Sequence, residues 1–280
     1  MAETAATFPL EQFVQPVLGL DDMWLAVGTG IAGYVPLTEA TSQNAQAWMD
    51  AVGSCSTDTL DAKARAAYLV GYVAWAFAHC IGGMRLNGLG VPSLNVSAFA
   101  VLHERYGWEE DGLTGFSTRF RTCLLAPPNS HRTVLDTDGV RALIVAAHTP
   151  LIEHLAALTK LGRSAMWRLV ADSVAAAWLT IGKEIGRAAD AMDDADAILR
   201  FAGSPLSNKQ TGFIEITLKD DADPGRVLNS AWFRARGGCC RYYTSPESEG
   251  NYCTTCVLRT PESRDRRLVD YLRRIATEAA

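Results

Sequence analysis

The first 62 residues contain no lysine or arginine; Lys63 is the first basic side chain, and eight acids precede it. A secretory leader opens with positive charge, so this start predicts a chain without one and a cytoplasmic location. Neither a G-x-S-x-G elbow nor a G-x-x-x-x-G-K-[ST] loop occurs, which argues against serine-hydrolase and P-loop chemistry. Internal repeats and low-complexity tracts are also missing. Cysteine is too sparse, at seven in 280 residues, for a small disulfide scaffold. What remains is 48% hydrophobic with a net charge of -5, the composition of one large or two small globular domains. A chain of this length buries roughly 75% of its unfolded surface, so it needs no metal merely to fold, and any metal site is expected to serve function.

Charge is unevenly placed. Residues 226–280 carry ten arginines against six acids, a tail that is either ordinary scatter or a means of steering an acidic redox partner. One segment raises the membrane question: Ala66 to Met84, 19 residues in which His79 is the main ionisable group. Its alanines, Gly71 and terminal Gly82-Gly83 favour a buried central helix over a bilayer span.

Along the chain, residues 1–40 read as irregular, Ser42 to Val52 as a helix ended by Gly53, and Leu60 to Ile81 as the long apolar helix with Asp58 or Thr59 as its cap. Residues 98–105 and 116–124 form a β-hairpin with EEDG (109–112) as turn and Trp108 at the tip. In its second strand Phe116, Thr118, Phe120, Thr122 and Leu124 alternate with polar residues. From Asp138 to Ala202 the pattern is helical, stopped by Gly203-Ser204-Pro205. Residues 213–218 suggest a short strand. The last helix has Thr260 as cap, Pro261 at its first position, and a stripe of Leu268, Tyr271, Leu272 and Ile275. The expected fold is α+β, mainly helical, with a small antiparallel hairpin and a C-terminal cysteine-rich segment that binds a cluster. Its expected regions are 1–135, 136–228 and 229–280.

Four of the seven cysteines fall within 18 residues: Cys239, Cys240, Cys253 and Cys256, spaced C-C-x12-C-x2-C. In a reducing compartment such a cluster holds a metal rather than disulfides. Four thiolates suit zinc or an iron-sulfur cluster. Adjacent cysteines in extended chain point to opposite faces, and Gly237-Gly238 before them offers backbone angles closed to other residues, so a kink can bring both sulfurs to one site. Two irons offer more separated attachment points than one zinc. From spacing alone a [2Fe-2S] cluster, a four-cysteine zinc knuckle and four unrelated thiols all stay open.

The adjacent pair, polar loop and Cys-x2-Cys resemble the C-terminal signature of the FhuF-like ferric-siderophore reductases. Upstream, HTPLIEHLAALTKLGRSAMWRLVADSVAAAW (148–178) is similar to that family's His-x-Pro-Leu opening, helix, and second helix starting with Trp. Trp167 is kept, while the polar position after it reads Arg168-Leu169-Val170-Ala171, a departure. The likeness covers about 141–260, and the cysteine loop is two residues longer than the family's. The resemblance implies a [2Fe-2S] cluster on Cys239, Cys240, Cys253 and Cys256 that passes one electron to a ferric siderophore, often a hydroxamate. It implies an external electron donor such as a ferredoxin, and it is compatible with a place at the inner face of a membrane. Reduction of hard Fe(III) to Fe(II) weakens its hold on charged oxygens and frees the iron. Trp232, Phe233, Tyr242 and Tyr243 would wall a chelate site, and Arg234, Arg236 and Arg241 would bond its oxygens or cluster sulfurs; ordinary packing and solubility are the competing reading. The alternative function is a zinc- or cluster-stabilised binding or sensing protein without turnover. Contact between the arginine-rich residues 259–274 and nucleic acid is not expected, given the interspersed acids.

Other signals carry less. His148 and His154 lie six apart, about 240° around a helix, and make no metal pair; they read as a helix-start residue and a surface or core histidine. Ser130-His131 and His103-Glu104 lack partners at catalytic spacing. GTGIAG (28–33) matches G-x-G-x-x-G after a strand-like MWLAV, but Pro36 breaks the helix that should receive a pyrophosphate. Asp190, Asp193, Asp194 and Asp196 read as a solvated helix face. Cys55, Cys80 and Cys123 read as core thiols.

Overall fold

The computed structural model describes residues 25–27, 33–39, 44–53, 60–88, 95–110, 112–125 and 135–278. The protein is 54% helical with small, chiefly antiparallel sheets, as the sequence pattern predicts. Most of GTGIAG, together with Cys55, Asp58, Thr59 and Ser130-His131, lies outside the described residues.

Helix α1 spans Ala45–Gly53 and the apolar α2 spans Ala62–Leu86. Asp61 caps α2, its carboxylate accepting the Ala64 N–H at 2.7 Å. The helix does not stop at Gly82-Gly83 but runs through it. A Cβ on Gly82 would stand 2.9 Å from the Trp178 indole, so glycine is there for close helix packing rather than as a terminator. Buried residues lie on nearly every side of α2, the mark of a core helix. By length and composition alone, α2 and α3 (Thr137–Thr159) would each reach across a bilayer; most of the α2 span is buried in the protein.

The helical stretch after residue 136 divides into three. Asp136 caps α3 through the Gly139 N–H at 2.6 Å, and the chain leaves α3 at Lys160 in the left-handed region (φ 61°). Helix α4 follows over Arg163–Glu184, and Gly186 (φ 69°) turns the chain into α5, Ala188–Leu199. His148, expected at a helix start, sits in the middle of α3 and is buried.

The expected hairpin is present as β3 (Phe99–Glu110) and β4 (Leu113–Leu124), extended by two short strands: β1 (Leu25–Val27) runs parallel to β4 and β2 (Val35–Pro36) antiparallel to β3. Trp108 is not at the tip; it lies within β3 opposite Gly115, whose missing side chain makes room for the indole. Of the alternating set, Thr118, Phe120, Thr122 and Leu124 are buried while Phe116, nearer the tip, is exposed.

A second sheet pairs β5 (Gly212–Lys219) with β6 (Val227–Ala235), a strand the sequence pattern does not announce. Helix α6 (Pro261–Glu278) packs Leu268 and Leu272 against Ile216 and Leu218 of this hairpin. A larger hydrophobic cluster runs from Leu37 to Leu206 around α2 and α4. The β5–β6 hairpin lies against α4 and delivers the chain from Ala235 directly into the cysteine loop.

Candidate functional site

Asp172, buried in the middle of α4, organises the approach to the cysteines. Its carboxylate accepts the Gly237 N–H at 2.7 Å, the Gly238 N–H at 3.0 Å and the Thr211 hydroxyl at 2.7 Å, and pairs with Arg236 at 3.4 Å. Its backbone carbonyl accepts from Arg234 at 3.0 Å. A buried carboxylate is costly unless its oxygens are hydrogen-bonded, and these donors satisfy them. The expected role of Gly237 and Gly238 is corrected here: neither has positive φ. A Cβ on Gly237 would meet Thr211 Oγ1 at 2.4 Å, and one on Gly238 would meet Leu169 and the Arg168 backbone at 2.9–3.0 Å. Space, against Asn208 and Thr211 for Gly237 and against α4 for Gly238, not a special backbone angle, calls for glycine. The left-handed turn comes three residues after Gly238, at Arg241 (φ 62°), whose N–H points at Cys239 Sγ across 3.4 Å.

The second pair stands on a turn closed by the Cys256 N–H on the Cys253 carbonyl at 3.0 Å, which Arg259 Nε also reaches at 2.9 Å. The loop thus brings the distant cysteines together across it. Cys240 and Cys253 are hydrogen-bonded to each other, and Arg236 Nη1 lies 3.7 Å from the first sulfur and 3.5 Å from the second. Cys240 and Cys253 therefore meet across the loop at one guanidinium; among the described residues, no three His, Cys, Asp or Glu side chains form a single-ion ligand group.

The bond from Cys253 and then the Arg236 charge hold the Cys240 thiol well below its ordinary value, giving it thiolate character. The same bond pushes Cys253 up, and burial raises Cys239. Burial works against the Arg236 charge, but Cys240, Asp172 and Cys253 outweigh it and keep the guanidinium protonated.

Cys240 also forms part of a cleft. Two adjoining cavities of about 250 and 500 Å³ share Tyr72, Trp75 and Arg234. Tyr68, Tyr72 and Trp75 of α2 make one wall and Trp232 and Phe233 of β6 the other; Arg234, Arg236 and Lys183 bring positive charge. Lys183 is held in place by the Trp232 carbonyl at 2.8 Å. Of the side chains expected at such a wall, Trp232, Phe233, Arg234 and Arg236 line it. Tyr242 and Tyr243 do not; Tyr243 packs edge-on to Tyr252 within the loop. Arg241 turns away to Asp61, 2.8 Å distant, and ties the loop to the start of α2. Sequence reasoning missed the α2 wall, although aromatics at 68, 72 and 75 are one helical stripe. It also missed Asp172, a lone acid among apolar residues of α4.

The other candidates resolve as structure. Cys80 and Cys123 are buried core thiols, the Cys80 thiol pushed up by burial. His103 Nε2 shares a hydrogen bond with Thr118 at 2.5 Å within the first sheet. The acidic run on α5 is not uniformly solvated: Asp194 is only partly exposed, clasped by Arg85 at 2.6 Å and Trp178 Nε1 at 2.8 Å, while Asp190 and Asp196 pair with arginines.

No known protein family, curated protein or solved structure matches the chain.

Proposed function

We propose that the protein is an iron-sulfur reductase that passes one electron to a ferric siderophore bound in the cleft beside Cys240. One observation carries the reading: Cys240 and Cys253, from the two halves of the cysteine motif, meet across the loop, with the Arg236 guanidinium donating toward both sulfurs and Cys240 opening onto a cavity. A [2Fe-2S] cluster takes two thiolates on each iron, and Cys239, Cys240, Cys253 and Cys256 would supply those four. A cluster so held supplies single electrons at a potential that N–H groups near its sulfurs raise.

The chain's own contribution is placement and charge. Asp172 holds the Gly237-Gly238 bend against α4, which fixes Cys239 and Cys240 relative to the cleft. Arg236 offsets the negative charge of the sulfurs. The aromatic walls exclude water and seat the apolar body of a chelate, while Arg234 and Lys183 offer donors to its oxygens. Addition of one electron converts Fe(III) to Fe(II), and the weakened chelate releases the metal to the cytoplasm, the compartment this reading assigns.

The test is metal and acid-labile sulfide content with an optical spectrum on protein purified without oxygen, followed by electron paramagnetic resonance after dithionite. Equal iron and sulfide, and a reduced signal quenched by a ferric hydroxamate, are expected; Cys239→Ser and Cys253→Ser lose colour and turnover while the helical circular dichroism stays. Bound zinc without visible absorbance would overturn the proposal.

A further inference from the structure

The turn carrying Cys253 and Cys256 has two sides. Thr255 lines the chelate cleft on one, and on the other Thr254 and Thr255 border an adjoining open concavity of about 650 Å³ that shares Phe233 with the cleft. The far wall of that concavity is α6, which presents Arg267, Tyr271 and Arg274 at three- and four-residue steps, one stripe beside the buried Leu268 and Leu272. Phe233 closes its floor, and Tyr271 is exposed with Arg274 over its ring at 5.5 Å. Arg267 forms no ion pair among the described residues, and Arg274 has only Glu278 at 4.0 Å. The single acid lining the concavity, Asp270, faces Arg273 at 3.9 Å.

We infer that this concavity is the docking surface for an acidic one-electron carrier protein, which delivers electrons to the cysteine centre beside the cleft rather than through it. The inference rests on the reductase reading above and adds the place and charge of the donor. Three observations favour that occupant. The surface abuts the Cys-x2-Cys turn, and electron transfer falls off steeply with distance, so a carrier here reaches the centre without crossing the chelate. Its cations have few partners of their own in a chain of net charge -5, so they attract carboxylates rather than serve general solubility. Tyr271 and Phe233 supply the apolar contact that a protein interface needs at its middle.

The test uses the complete protein, a small acidic [2Fe-2S] ferredoxin as probe, and the doubly reversed variant Arg267→Glu/Arg274→Glu, with Arg266→Glu as a control on the same helix outside the concavity. Two quantities are read: affinity for the oxidised ferredoxin by calorimetry at low salt, and ferric hydroxamate reduction driven by either reduced ferredoxin or dithionite. In the parent protein, binding and ferredoxin-driven reduction are expected to weaken with added salt. In the double variant both are expected to fall at least about tenfold, with dithionite-driven reduction unchanged and the control close to the parent. Equal ferredoxin binding by parent and double variant, or none by either, overturns the docking surface even if dithionite-driven reduction proceeds. Salt-sensitive binding of a DNA duplex that the double variant loses also overturns it. Charge-dependent ferredoxin binding without any chelate reduction leaves the surface standing and removes the reductase reading instead.

Discussion

At the scale of single residues, the site depends on groups that carry little weight in the sequence. Asp172 is one acid in an apolar helix, yet it joins α4 to the glycine bend, to Thr211 and to Arg236. Gly71 is comparable: it lines the cavity beside Cys240, and a Cβ there would touch nothing within 4 Å. Gly71→Leu is therefore expected to fill the cleft without straining the fold. Helix propensity favours the substitution by up to about 1 kcal/mol. Steady-state kinetics with a ferric hydroxamate should show KM raised on the order of tenfold, with the dithionite-reduced spectrum unchanged. Unaltered KM would place the chelate elsewhere. The four cysteines themselves were legible, because their spacing alone marks them as a group. That Cys240 meets Cys253 at the Arg236 guanidinium was not, since adjacency in sequence suggests Cys239 with Cys240.

At the scale of elements, the sequence was legible wherever one period dominated and illegible where glycine had two meanings. The hairpin β3–β4, α1 and α6 come close to their expected positions because alternation, turn chemistry and the Thr260-Pro261 start act locally. The end of α2 was misplaced because Gly82 reads as a terminator, whereas it admits the Trp178 ring. Strand β6 was overlooked because VLNSAWFRA lacks clean alternation, and most of its residues are half-exposed. Gly238 shows the same ambiguity at the site, and Gly238→Ala is expected to push the loop away from Leu169 and the Arg168 backbone. Urea denaturation should register a loss of about 1–3 kcal/mol, the range for overpacking a tight contact. A neutral result would mean that the bend does not bear on α4 as described.

At the scale of the whole molecule, the buried helices carry a dependence on acid. His148 and His79 are buried, and burial holds each imidazole down to about 4. His148 Nδ1 donates to the Ile144 carbonyl at 2.8 Å, its Nε2 has no partner, and its ring meets Phe77 edge-on. Unfolded, each imidazole binds a proton below about 6.5, while the folded state stays neutral until about 4; the unfolded state thus binds more protons in that window. Stability should be full above about pH 6.5 and fall toward pH 4 by on the order of 3 kcal/mol per histidine. His148→Phe should flatten the slope in denaturation measured across that range; an unchanged slope would assign it to other groups. The sequence by itself determined the mainly helical class, the existence of a four-cysteine group and the buried nature of Ala66 to Met84, because composition, spacing and hydrophobic period are properties of short stretches. Only the tertiary structure decided that Cys240 meets Cys253 beside Arg236, that Asp172 holds the glycine bend, and that aromatics of α2 and β6 face each other across a cleft. Each of these joins residues far apart in the chain, and the close packing that sets such distances leaves no trace in local pattern.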